Sequence, residues 1–416
     1  MATTPAQIPA RIIGEDGNKP RFTGRRLVLL NNTAKTSLIT SQAKKVSLKL
    51  ANTADFNKSR TGDFLTTALM QADGIVFDKL KVAIINEALE EPMNHLLASR
   101  ATAKNFLRSE AERFLYALTP GKKKPGKVPF TDNSTATWGI QAVHVLTSNF
   151  NGKGVRVGLL DTGIDTNHPD LKARIKGKKT FISGQQVLDM NGHGTHCSGL
   201  VAGFTHATRK FRYGVAPEAS LYIGKVLSND GVGTDSSILA GIEWALHNKC
   251  QIISLSLGGS MMPGESYSEV YESVAREALA NNCLIIAAAG NESERSRNKI
   301  APVGHPANCP SIMAVGALTT TLGIADFSCG GVNSEGGQVD IAAPGENIWS
   351  TWKNKGYRRE SGTSMATPIV AGLAALILQS TPKTSAAGLW MKLTQNAKRL
   401  PLPASDSGAG LAYNRI

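Results

Sequence analysis

The sequence predicts an α/β protein in two parts: a small α+β unit, then a larger domain whose mostly parallel sheet is covered by helices on both faces. Three observations predict it. Beyond about residue 135, short apolar runs such as GVRVGLL, SLYIGKVL, QIISLSL, LIIAAAG and SIMAVGAL are separated by amphipathic helical stretches. Strands apolar on both faces indicate a sheet buried on both faces. Polar residues gather where those runs end, the place where open parallel sheets hold ligands. The third observation is a change of texture at residues 119–134, TPGKKKPGKVPFTDNS, whose Pro, Gly and Lys content marks a solvated linker.

The elements follow in order. Residues 1–24 form a polar tail. Residues 25–118 hold a strand at RRLVLL, a helix near GDFLTTALMQA, a strand at GIVFDKLKVAIIN, a further helix, and a closing segment, RSEAERFLYAL, with strand character. After the linker, residues 135–416 form the larger domain. Its apolar runs alternate with helices at DSSILAGIEWALHNK, SYSEVYESVAREALANN and MATPIVAGLAALILQS.

Composition removes several functions. Of 416 residues, 41% are apolar and 19% charged, ordinary values for a globular protein. The formal charge is +14, and +10 of it falls in residues 1–130, which carry 21 Lys and Arg against 11 Asp and Glu. That excess includes GKKKPGK at residues 121–127, which reads as solvated linker, and no aromatic interleaving or nucleic-acid motif accompanies it, so no nucleic-acid partner is expected. No run of eighteen apolar residues is present, so no membrane span is expected. The N-terminus shows no basic stretch followed by an apolar segment, so the expected location is cytoplasmic or reached by a non-classical route, with secretion if the true start lies elsewhere. Five cysteines without CxxC spacing argue against a zinc site and for reduced thiols. Cys250 and Cys283 each begin an apolar run and are expected near one another.

Four run ends offer an acid, a base, an amide and a hydroxyl: Asp161 in GLLDTGID, His193 in NGHGTHCSG, Asn291 in LIIAAAGNES and Ser364 in SGTSMA. Ser364 stands at a helix start. There a serine either caps the first turn or serves as a nucleophile where free N–H groups favour developing negative charge.

The stretches DTGID, HGTHCSG and GTSMATP, in that order, resemble the subtilisin family of serine proteases, and HGTHC is similar to its proteinase K branch. The resemblance runs from about Trp138 to the C-terminus and includes SLGG, AAAGNE and GAGLAYN. It implies a subtilisin-like domain in which Ser364 is the nucleophile, His193 the general base and Asp161 its orienting acid. Asn291 and the Ser364 N–H form the oxyanion hole. It also implies that the substrate lies as an added strand along Gly231 and Gly233 and along Ser256, Leu257, Gly258 and Gly259. Glu292 and Gly304 border a pocket for a large side chain. His196 and His168 are expected to be structural. Cys197 is either inert or a point of thiol sensitivity.

The family's tight calcium loop corresponds to GFTHATRKFRYGVAP, which carries no acidic or Asn ligand and leaves Asp170 alone, so that site is not expected, while a weaker structural calcium site elsewhere stays open; catalysis itself needs no cofactor. The first unit is similar to the family's ferredoxin-like inhibitory propeptide. The function implied is a monomeric serine endopeptidase acting on proteins or peptides, made as a zymogen and autoprocessed near residues 118–136. A transpeptidase or cyclase would use the same triad, and a non-catalytic binding protein would have lost part of it.

Overall fold

The computed structural model describes residues 21–44, 48–58, 72–86, 105–117, 130–204 and 211–416. Residues 1–20 of the tail, most of the GDFLTTALMQA helix, the helix expected before residue 105 and most of the linker lie outside these residues, while residues 22–24, expected in the tail, belong to the first strand.

The first unit begins with β1 (Phe22–Leu30), helix α1 (Thr36–Ala43) and β2 (Leu50–Asn52). It continues through β3 (Gly74–Phe77), β4 (Val82–Asn86) and the long β5 (Phe106–Ala117). The stretch GIVFDKLKVAIIN is two strands rather than one. β3 and β4 pair antiparallel around the polar turn Asp78–Lys81, where Lys81 takes φ 54°. β1 pairs with β4 on one side and β5 on the other.

Alternation sorts this sheet's side chains into two cores. Val28, Leu30, Val76, Ala83 and Ile85 face α1, against Ile39 and Ala43. Their alternates Leu27, Leu29, Ile75, Phe77, Val82 and Ile84 face the other way, into a cluster shared with the larger domain.

The larger domain opens with α2 (Trp138–Ala142) and β6 (Arg156–Asp161), followed by β7 (Ile175–Thr180), α3 (His193–Ala202) and β8 (Ser220–Lys225). Next come β9 (Val232–Thr234), α4 (Asp235–His247), β10 (Ile252–Leu255), β11 (Leu257–Gly258), α5 (Glu269–Ala280) and β12 (Leu284–Ala288). The chain closes with β13 (Met313–Leu318), β14 (Ile341–Pro344), the hairpin β15 (Ile348–Trp352) and β16 (Gly356–Glu360), then α6 (Thr363–Ser380), α7 (Ala386–Asn396) and α8 (Ala404–Ser407).

The main sheet runs β14-β13-β12-β10-β6-β8-β7, with every neighbouring pair parallel. α3 and α6 contribute to the core on one face and α4 and α5 to the core on the other. Among the described residues, α6 alone is long and apolar enough to cross a bilayer by length and composition, and here it is buried in the core. Cys250 and Cys283 precede the adjacent strands β10 and β12, as expected, and are free thiols.

The two parts dock through β5. Its start pairs with β1, while its end, Phe114–Ala117, runs antiparallel to β9 on one side and β11 on the other. Two carboxylates from β5 sit on helix starts. Glu110 accepts the Glu269 N–H at 2.8 Å at the head of α5, and buried Glu112 accepts the Ser236 N–H at 2.8 Å at the head of α4. Both satisfy first-turn donors and complement the positive ends of the helices.

Glu243 of α4 is buried beneath the first unit, accepting the Thr53 hydroxyl and the Lys79 N–H, each at 3.1 Å. Burial raises its pKa from 4.5 to about 7, against the pull of those two donors. Undocked, the same carboxyl would titrate near the ordinary Glu value of about 4.3. The docked state therefore holds more protons between these values: docking is strongest below that range and weakens as pH rises toward 7. The Ala117 N–H donates to Gly231 O at 2.9 Å and reports docking. Between pH 5 and 8, Ala117 should lose more exchange protection in the intact wild-type chain than in Glu243→Gln; identical pH dependence would remove Glu243 from this role.

Candidate active site

β6 ends on Asp161, fully buried, and a buried carboxylate must be given donors. The next peptide supplies one, the Thr162 N–H at 2.6 Å. α3 supplies the other: the Nδ1 of His193, its first residue, lies 2.8 and 3.0 Å from the two carboxylate oxygens. Nδ1 must then carry the proton, which leaves Nε2 as the basic nitrogen. Burial opposes charge on this ring, but Asp161 and, after it, Cys197 outweigh burial and lift the pKa well above 6.5. The turn into α3 depends on Gly192, at φ 110°, where a Cβ would lie 2.4 Å from the Trp352 ring.

Ser364 lies in the first turn of α6, but it is not the cap. Gly362 holds that position and no side chain caps the helix. The Ser364 hydroxyl instead donates to the Ser256 carbonyl at 3.0 Å, and the Ser256 hydroxyl donates back to the Ser364 carbonyl at 2.9 Å. The Ser364 carbonyl is free to accept because Pro368, four residues on, has no N–H to return to it. Cys197 Sγ also donates to it, at 3.5 Å, and lies 3.9 Å from Nδ1 of His193, so one thiol bridges α3 and α6.

Asn291 follows β12. Its Oδ1 accepts the Thr363 N–H at 2.9 Å and the Thr363 hydroxyl at 3.0 Å. Since a backbone N–H can only donate, the amide orientation is settled. The NH2 group is thereby turned away, and Nδ2 is buried without a hydrogen-bond partner, as is Nε2 of His193.

The strands expected to bind a substrate are β9 and β11, and a segment of this chain already lies between them. Leu115 is paired with Gly233, Tyr116 with Val232 and Gly258, and Ala117 with Leu257. Leu115 is completely buried there. Gly304 faces Gly259, so close that a Cβ would stand 2.8 Å from Gly259 O. The Glu292 carboxylate is already engaged, accepting the Asn291 N–H at 2.7 Å and the Cys329 thiol at 3.1 Å.

His196 and His168 are structural in their contacts. His196 Nε2 sits 3.1 Å from both Ile348 O and Arg358 O, and burial drives its pKa to about 3. His168 Nε2 meets Gly356 O at 3.0 Å. Asp170 Oδ2 accepts the hydroxyls of Tyr213 at 2.7 Å and Tyr357 at 2.9 Å. Burial and that carboxylate hold the Tyr213 proton in place. Residues 205–210 of the corresponding loop lie outside the described residues.

An acid–imidazole pair, a helix-borne serine and an amide, all beyond the carboxyl ends of a parallel sheet, define a serine hydrolase on an α/β scaffold. The subtilase family profile, Peptidase_S8, matches residues 152–411. The chain belongs to this family and is a subtilisin-like serine endopeptidase. It is 41% identical to subtilisin DY of Bacillus licheniformis over 263 residues, 63% of this chain and 90% of that protein. It is 39% identical to subtilisin E of Bacillus subtilis (strain 168), again over 263 residues, here 65% of the relative's length. The solved structure of sphericase matches with a TM-score of 0.59 and 34% identity, covering 66% of this chain and 97% of that one.

Sequence reasoning missed Thr363 as the residue orienting Asn291, although GTSMA places it beside Ser364. It also missed Glu110 and Glu112, whose i, i+2 spacing on a strand puts both on one face. Gly194, second in α3, has no room for a side chain: a Cβ would lie 2.3 Å from Gly163 O and 3.2 Å from the Asp161 Cβ. Gly194→Ala should push α3 away from β6 and cost roughly a hundredfold in kcat/KM, the scale of an ångström's misplacement, measured on a chromogenic peptide.

Proposed function

We propose that this subtilase cleaves peptide bonds through Asp161, His193 and Ser364, with Asn291 and the Ser364 N–H as oxyanion donors, and that it is made as a zymogen. One observation carries the catalytic reading: two buried polar atoms, Nε2 of His193 and Nδ2 of Asn291, lack partners. Buried polar groups are nearly always paired, and the Ser364 hydroxyl and the oxyanion of a reacting peptide supply the two missing partners. Turning from Ser256 O toward Nε2, the Ser364 hydroxyl gives up its proton as Oγ attacks the carbonyl carbon. Asp161 holds Nδ1–H and stabilises the imidazolium. The oxyanion takes hydrogen bonds from Nδ2 of Asn291 and from the Ser364 N–H, a first-turn donor that a helix leaves without an intrahelical partner. Nε2 then protonates the leaving amine, and water, deprotonated by the same nitrogen, releases the acyl group.

The zymogen reading is supported by the course of β5. Phe114–Ala117 occupies the position of an added substrate strand, a form of β-augmentation. Glu110 and Glu112 cap two helices that would otherwise present bare N–H groups. The first unit then acts as the enzyme's own inhibitor, and scission falls near residues 118–136. Residues 118–129 of that stretch lie outside the described residues.

Ser364→Ala should abolish peptidase activity and leave the chain at full length by intact mass; cleavage at the wild-type rate would refute the nucleophile. Asn291→Ala should fold normally yet lose about 10²–10³ in kcat, a magnitude established on a subtilisin itself. Stopped-flow kinetics showing an unchanged kcat would exclude Asn291 from the mechanism. Product masses from a defined peptide in the presence of an added amine separate hydrolysis from ligation.

A further inference from the structure

Behind the Asp161–His193 pair lies a second buried polar layer with no part in the steps above. Asp189, 2% exposed, precedes α3 and accepts five hydrogen bonds. Oδ1 takes the Thr162 hydroxyl at 2.9 Å, the Asn191 N–H at 3.1 Å and the Gly192 N–H at 2.7 Å. Oδ2 takes the Thr195 N–H at 2.8 Å and the Thr195 hydroxyl at 2.7 Å. One carboxylate thus fastens the residue after Asp161 to the turn before His193 and to the first turn of α3.

Thr162 is the joint, and each of its polar groups is used. Its N–H goes to Asp161 at 2.6 Å, and its hydroxyl donates to Asp189 and accepts the Gly194 N–H at 2.9 Å. Its carbonyl accepts the ammonium of Lys225. Lys225 is fully buried at the end of β8, in register with Asp161. Burial lowers the pKa of this ammonium, opposed by the charges of Asp189, Asp161 and Asp230. A buried cation without counter-charges is costly, and these carboxylates supply them.

We propose that Asp189 and Lys225 are positioning residues for the reaction, acting through Thr162 to hold the Asp161 carboxylate and the His193 ring in register. The assignment rests on the triad reading above. The ionisable groups that act on the imidazole are Asp161 at the strand end and His196 and Cys197 on α3 itself. Behind them stand Asp189 in the loop before α3 and Lys225 and Asp230 on β8 and the loop after it.

Removing charge from Asp189 and from Lys225 should move the acid limb of the kcat/KM profile in opposite directions. Asp189→Asn takes away a negative charge and a clamp, so the imidazolium is less favoured and the limb shifts to lower pH. Lys225→Met removes the cation beside Asp161, so the limb shifts to higher pH. Both should lower kcat about 10- to 100-fold, as misalignment does, with KM within about twofold.

Thr162→Ser keeps the hydroxyl and should stay near wild type, whereas Thr162→Val, which breaks the clamp but keeps the Asp189 charge, should lower kcat like Asp189→Asn. This pair decides the matter if either charge variant fails to fold. Measurements use the active enzyme, normalised by active-site titration. Limbs that do not move, or that move together, with an unchanged kcat would overturn the proposal. So would equal kinetics of the two Thr162 variants. If Ser364→Ala kept wild-type activity, the triad reading would fail instead, and the two failures are distinguishable.

Discussion

A carboxylate sealed from water at the end of β6 must be given donors, and the centre of the molecule is arranged to meet that demand. The Thr162 peptide and the His193 ring are the donors Asp161 receives. To bring the ring there, α3 must begin within contact of β6, which explains the absence of a side chain at Gly194, while Gly192, at φ 110°, turns the chain into α3 against the Trp352 ring. The first turn of α6 then meets the same spot from another direction. Its serine carbonyl, freed by Pro368, is tied to Ser256 and to Cys197 of α3. Helix starts, strand ends and one buried charge therefore determine one another.

Much of this was legible in one dimension. The apolar runs became the parallel sheet, and Asp161 and His193 meet beyond it, because a parallel sheet leaves its carboxyl edge as the place where loops meet. The first unit was less legible. GIVFDKLKVAIIN looked like one strand because the turn Asp78–Lys81 contains Leu80, which is buried at 2% exposure and keeps the apolar pattern going through the reversal. The capping role suggested for Ser364 failed because Gly362 holds the cap position, a backbone property that residue preferences do not reveal.

Other partners in space could not be read. Nothing local in RSEAERFLYAL says that Glu110 and Glu112 meet two helix starts more than a hundred residues later, or that Glu292 turns inward to Cys329. Asp170 is another case. Its neighbours in sequence suggest a lone carboxylate, while its neighbours in space are two phenols packed with Trp349, contributed by Tyr213 and by β16. Long-range pairings of this kind depend on the register of whole elements, which a single sequence does not display.

The strand seated between β9 and β11 belongs to the same polypeptide as the groove that holds it. On the zymogen reading, any substitution that reshapes the floor around Gly233 or Leu257 is tried first on Leu115 and Ala117, at an effective concentration that no free peptide reaches. Groove and strand are therefore inherited as a matched pair. A designer who alters the preference of one has altered the fit of the other, and a library that varies residues 114–117 together with the groove would search the two as one object.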